Sequence, residues 1–320
     1  MKKTTRIVLI LIIMSLLVTA CGSNIDRKEG DGRLKVVTTI FPQYDFVRQI
    51  AGDRVDMKML IAPGAETHSY EPSPQDIIDI ENSDLFIYVG GESDSWIEKI
   101  LEDMDKDRGE IMSLMDVVSL LEEELSEGME DTEASHDHEE EEYDDHAWTS
   151  PVNAMEISRE IAARLMDLDE GNADFYRENL AGYLEELGDL DRSFRELVEG
   201  GNHKPLIFAD RFPFLYFARE YGLEYFGAFP GCSAETEASP TTLKFLIDKV
   251  REEKIGHVFY IEFSNEKMAD IINESTGSKK LLFHSGHNLS KDEFESGLGY
   301  LDIMKGNLSN LREAMEYESN

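Results

Sequence analysis

Disulfide chemistry has almost nothing to work with here: the 320 residues contain two cysteines, Cys21 and Cys232. A chain so poor in cysteine depends on an apolar core rather than on crosslinks. Basic residues are also scarce, with 31 Lys and Arg against 67 Asp and Glu. Such an acidic surface repels phosphate backbones, so a nucleic-acid role is excluded. Hydrolytic signatures are missing as well: neither His-Glu-x-x-His nor Gly-x-Ser-x-Gly occurs. Apolar runs are short. The longest, Ile7 to Val18, covers about 12 residues and ~18 Å of helix against ~30 Å of bilayer hydrocarbon.

That run follows Lys2, Lys3 and Arg6, so residues 1–20 are expected to be an export signal rather than a membrane span. Val18-Thr19-Ala20-Cys21-Gly22 resembles a bacterial lipobox, which implies cleavage before Cys21 and lipidation of its thiol. The polar, glycine-bearing stretch up to residue 33 suits a tether between lipid and domain. These features predict an extracytoplasmic protein anchored to the outer face of a bacterial membrane.

Beyond the tether, strand-like and helical patterns alternate. LKVVTTI (34–40), Val55–Ile61 and LFIYV (85–89) read as strands, separated by helical spacing over Tyr44–Ile50 and Pro74–Asn82. After Gly200-Gly201 the alternation resumes through Pro205–Phe208, Glu224–Phe229, His257–Glu262 and Lys280–His284. Between these stretches, Ala173–Val198 carries apolar residues at helical intervals over ~39 Å. The predicted fold class is α/β, two lobes of parallel sheet flanked by helices and joined by one long bridging helix. The expected boundaries are 34–172 for the first lobe, 173–200 for the bridge and 201–320 for the second lobe. Residues 122–145 break the pattern with 14 acidic residues, no Lys or Arg, and two histidines, His136 and His138. This composition predicts a mobile loop that could collect zinc weakly.

Eight histidines are present. A neutral imidazole is a preferred ligand of zinc and copper, yet a lone loop histidine is ordinarily solvated or structural, so position must decide. His68 lies in the loop before the helix at Pro74, His146 closes the acidic segment, and His284 ends a strand with His287 three residues on. In open α/β sheets the carboxyl ends of strands form the ligand crevice. His257 and His203 fall elsewhere and read as structural.

THSYEPSPQD (67–76), DIENSDLFIYVGGESDSWIEKI (79–100), DDHAWTSP (144–151), PLIFADRFPFLYFAREYGL (205–223), ETEASPTTL (235–243) and IEFSNEKMADIINESTGSKKLL (261–282) occur in one order. Together they resemble the solute-binding lipoproteins of bacterial zinc and manganese ATP-driven importers, the A-I cluster, over nearly the whole chain. The resemblance implies a monomeric binding component, not an enzyme, that passes a metal ion to an ABC permease driven by its ATPase. It places the first two ligands on His68 and His146 and the fourth on His284. The third, His or Glu in that family, falls on Arg211, whose guanidinium has no lone pair for a cation. Asp210 is a possible substitute. The expected shell is His68, His146 and His284, completed by His287 or water. Glu71 and Asp145 are expected to orient imidazoles, and Cys232 to be a buried thiol outside the shell. Imidazole donors favour zinc over manganese as the transported ion. A zinc hydrolase and a surface adhesin are the competing readings.

Overall fold

The computed structural model describes residues 32–65, 70–91, 94–103, 109–129, 143–231, 233 and 238–315. The expected signal, Cys21, His68, His136, His138 and Cys232 lie outside the described residues. Among the described residues no helix is long and apolar enough to cross a membrane.

The first sheet is built in order of sequence from β1 (Leu34–Thr38), α1 (Phe41–Ala51), β2 (Val55–Met59), α2 (Pro74–Glu81), β3 (Leu85–Tyr88), α3 (Ser95–Asp103) and β4 (Glu110–Ser113). Its strands are all parallel, in the order β2-β1-β3-β4. Sequence patterning did not anticipate β4, whose four residues EIMS are too short to show an alternation. Next come α4 (Pro151–Leu168) and α5 (Ala173–Gly200), the bridging helix, whose 28 residues span about 42 Å. The second sheet comprises β5 (Leu206–Phe212), α6 (Leu215–Tyr221), β6 (Tyr225–Pro230), α7 (Pro240–Glu252), β7 (His257–Tyr260), α8 (Lys267–Thr276) and β8 (Lys279–Leu282). It is again parallel, and its order β6-β5-β7-β8 repeats that of the first. The short α9 (Lys291–Glu295) and α10 (Tyr300–Ala314) close the described chain. Two parallel sheets flanked by helices and joined by a long helix are the predicted fold class.

Ser-Pro pairs start three of the helices. Ser73, Ser150 and Ser239 each accept a backbone N–H of the first turn through their hydroxyls, with Pro74, Pro151 and Pro240 at the first helical position. Proline suits that place because its missing N–H would lack an intrahelical partner anyway.

One apolar core runs from the first sheet through α4 and α5 into the second sheet. It joins Val36, Leu85, Ile157 and Leu187 to Phe208, Phe283, Tyr300 and Leu311 without a break. Polar contacts reinforce the seam. The buried Asp45 carboxylate on α1 accepts the Tyr300 N–H at 2.7 Å, and Arg48 donates to the Leu298 carbonyl at 3.2 Å. Burial raises the Asp45 carboxyl pKa despite the neighbouring Arg48.

The acidic segment differs from the expected mobile loop at both of its described ends. Glu122 bridges Tyr143, and the Asp144 N–H donates to the Leu121 carbonyl. Glu124 pairs with Arg219, and Glu127 lies 3.4 Å from Lys249. The few basic groups of the second sheet's helices thus receive part of the negative charge that composition alone assigned to solvent.

Phe283 is fully buried and meets Phe208, Phe214, Phe217 and Phe259 edge-on, with centroids 4.8 to 5.8 Å apart. Phe283→Ala is expected to lower the unfolding free energy by about 3–5 kcal/mol, measurable by denaturant titration.

Candidate metal centre

The strands' carboxyl ends converge on one cleft of about 400 Å³, part of it open solvent, lined by Ala65, His146, Arg211, Pro213, Gly231, Ile261, Glu262, Phe263, Ser285, His287 and Asn288. Apart from His146, each lies at or after the carboxyl end of a strand, or in the loop that follows one. Backbone carbonyls and N–H groups left unpaired at strand ends make such edges natural ligand sites.

His146 is 1% exposed and caps a short 3₁₀ turn, Ala147–Thr149. Its backbone N–H donates to Asp144 Oδ1 at 2.9 Å, and its carbonyl accepts the Thr149 hydroxyl at 2.8 Å. Its Nδ1 lies 3.2 Å from Asp145 Oδ1 and 3.5 Å from Asp144 Oδ1. Burial disfavours the charged ring, but Asp145 and Asp144 outweigh it and push the pKa up to about 8. Asp145 therefore does contact an imidazole, as expected, whereas Glu71 is exposed. Behind Asp145, burial raises Asp94 to about 7 even though it accepts the Val89 and Gly90 N–H groups. Gly231 passes so close that a Cβ there would lie 3.1 Å from the His146 ring and 3.0 Å from the Pro213 Cα. A side chain at that point would displace the imidazole or the backbone.

Trp148 is fully buried and joins the two halves of the site. Its indole N–H donates to the Ser285 carbonyl at 2.9 Å, and its own carbonyl accepts the Tyr300 hydroxyl at 2.7 Å. The rings of His146 and His287 pack on it at 5.4 and 5.1 Å and lie 5.4 Å from each other, edge to face.

His284 stands differently. Asn307 clamps its backbone N–H and carbonyl at 2.8 Å each, and its Nδ1 accepts the Gly286 N–H at 2.9 Å. Glu262 Oε2 lies 3.4 Å from the same Nδ1. The cleft lining includes His287 and Glu262 but not His284. Glu262 follows directly on the HVFYI run, and its place at a strand's carboxyl edge was the available signal for a residue that sequence reasoning passed over.

Both flanks of the segment holding His68 are secured. On one side Asn288 donates its amide to the Ala62 and Ala65 carbonyls at 3.0 and 2.9 Å, and the Gly64 N–H donates to Leu289. On the other, the Tyr70 hydroxyl donates to Asp76 Oδ2 at 2.8 Å, and Asp76 also accepts from Lys58 and from the Ser73 N–H. Burial would raise the Asp76 carboxyl, but these donors dominate and hold it at about 2. Asp210 accepts the Ser264 hydroxyl and the Arg211 N–H. His257 has its Nε2 3.4 Å from Glu313 at the opposite end of β7. Among the described residues no three His, Cys, Asp or Glu side chains converge as a set that could hold an ion.

The description zinc-uptake complex component A, periplasmic, belongs to a family, ZnuA, that matches residues 36–314. The chain belongs to the ZnuA family. It is 32% identical over 309 residues to the high-affinity zinc uptake system protein ZnuA of Bacillus subtilis, covering 95% of each chain. It is 30% identical over 322 residues to the zinc-binding lipoprotein AdcA of Streptococcus pneumoniae, where it spans 99% of its own length but only 62% of the relative's. The Zn(II)-bound ZnuA-like domain of that AdcA superposes with a TM-score of 0.74 at 27% identity, over 89% of this chain and all of that one.

Asp76 makes its contribution to stability visible in acid. Its folded pKa lies below the ordinary 3.8, so the contribution is complete above about pH 4 and disappears as the pH falls through about 2. Asp76→Asn is expected to remove that component from the acid-unfolding curve followed by circular dichroism. Gly231→Ala is expected to weaken zinc binding about tenfold through displacement of His146, read in a competitive chelator titration.

Proposed function

We propose that this chain is the extracytoplasmic binding component of an ABC importer for zinc, anchored through a lipid on Cys21, acting as a monomer and without catalysis. His146 and His287, packed on the same buried indole in one cleft, carry this reading. His68, brought by the segment between Ala65 and Tyr70, is the third donor. His284 acts from behind: its ring faces the Gly286 N–H and Glu262, so it shapes the loop that presents His287. Imidazole donors at ~2.0–2.1 Å suit tetrahedral zinc, whereas manganese prefers oxygen. The unbroken core between the sheets resists a wide hinge motion. Uptake and release to the permease therefore proceed by local movement of the loops that carry the histidines.

Competitive zinc titration tests the assignment. His68→Ala, His146→Ala and His287→Ala should each weaken binding at least tenfold, about 1.4 kcal/mol, and His284→Ala should weaken it less. Unchanged affinity in all of the first three would move the site elsewhere, and a dominant loss in His284→Ala would restore that ring to the shell.

A further inference from the structure

The loop that delivers His287 to the cleft takes its shape from one buried serine. Ser285 is 3% exposed and uses every polar group it has. Its carbonyl accepts the Trp148 indole N–H at 2.9 Å, and its hydroxyl oxygen accepts the His287 backbone N–H at 3.1 Å. Its own two protons go to a single partner. The Ser285 N–H donates to Glu262 Oε2 at 2.8 Å, and the Ser285 hydroxyl donates to Glu262 Oε1. Because the hydroxyl gives its proton to the carboxylate, its lone pairs are free to receive the His287 N–H.

Glu262 reaches the loop from a different strand. It stands two residues beyond the end of β7, with its side chain 9% exposed. The chain reverses there: the Ser264 N–H donates to the Ile261 carbonyl at 3.4 Å, and Phe263 takes a left-handed backbone with φ +58°. The turn leaves Phe263 more than half exposed and Glu262 against the loop. Strained backbone of this kind persists only where its surroundings hold it, and it gathers at functional sites. Hydrogen bonds to a buried carboxylate are stronger than neutral ones, so the two bonds to Ser285 are the firmest tie printed on this loop.

We propose that Glu262 is a positioning residue for zinc binding: acting through Ser285, it fixes where the loop places the His287 ring, without itself ligating the ion. The proposal rests on the reading of His287 as a zinc donor and names what holds that donor in place. A clamp made of two accepted hydrogen bonds needs acceptor atoms at the right place more than it needs negative charge. Glutamine keeps an oxygen for the Ser285 N–H, and its amide can donate to the Ser285 hydroxyl; alanine keeps neither.

The test is competitive chelator titration of Zn²⁺ on the full chain in detergent. Glu262→Ala is expected to weaken binding at least tenfold, and Glu262→Gln to recover affinity to within about threefold of wild type. In a His287→Ala background, Glu262→Ala is expected to cost nothing further, because residues that act through one another are not additive. Ser285→Ala, which removes the hydroxyl between Glu262 and the His287 N–H, supplies the same comparison if Glu262→Ala folds poorly. A glutamine variant as weak as the alanine variant would show that the charge acts on the ion itself and would overturn the clamp. A further tenfold loss in the His287→Ala background overturns it too, as does unchanged affinity in both Glu262→Ala and Ser285→Ala. Failure of the zinc reading looks different: His287→Ala then binds as wild type does, or the wild type binds no zinc.

Discussion

The buried indole of Trp148 lies where the two sheets' loops meet, and the site's geometry follows from how it is held. Its N–H reaches across to the Ser285 carbonyl, and its carbonyl receives the Tyr300 hydroxyl from α10. Both bonds are sheltered from water, so breaking either leaves a buried polar group without a partner. The two cleft imidazoles pack on this indole, one from each side of the molecule. Asn288 adds a second stitch by holding the Ala62 and Ala65 carbonyls just before the His68 segment. A site assembled this way is pre-organised by contacts that also hold the molecule together.

That coupling limits how the protein can move. The apolar core continues from Val36 and Leu85 through the bridging helix to Phe283 and Leu311, and close-packed interiors do not deform gradually. Asp45 and Arg48 fasten α1 to the loop before α10 on the same seam. Motion is therefore confined to segments that carry few such ties. Phe263, at the cleft's edge, is more than half exposed and adopts a left-handed backbone with φ +58°. A bulky side chain in that conformation is held by its surroundings at a cost of order 1–3 kcal/mol.

Charge is distributed on two scales. The chain as a whole is strongly acidic, and much of that charge is solvated or paired at the surface, as between Glu124 and Arg219. Inside, carboxylates are few and tightly held: burial raises Asp94 and Asp210, while Asp144 and Asp145 keep His146 more basic than a free imidazole. Arg211 is the exception in sign. Its guanidinium faces a cleft whose other polar lining is imidazole, carboxylate and amide, and the local balance there is unrelated to the net charge.

The sequence alone determined the fold class, the long bridging helix and the histidines worth attention, because periodicity and strand-end positions are local properties of a chain. Only the tertiary structure decided which imidazoles share a cleft. His284 and His287 are three residues apart in one loop, yet the Gly286 N–H and Asn307 turn the first toward Glu262, and the second packs on Trp148 from the other sheet's side. The role of Glu262, the close pass of Gly231 and the ordered ends of the acidic segment were likewise hidden, since each depends on partners tens to hundreds of positions away. Side-chain direction at a strand's end is set by such long-range contacts, and no local pattern encodes it.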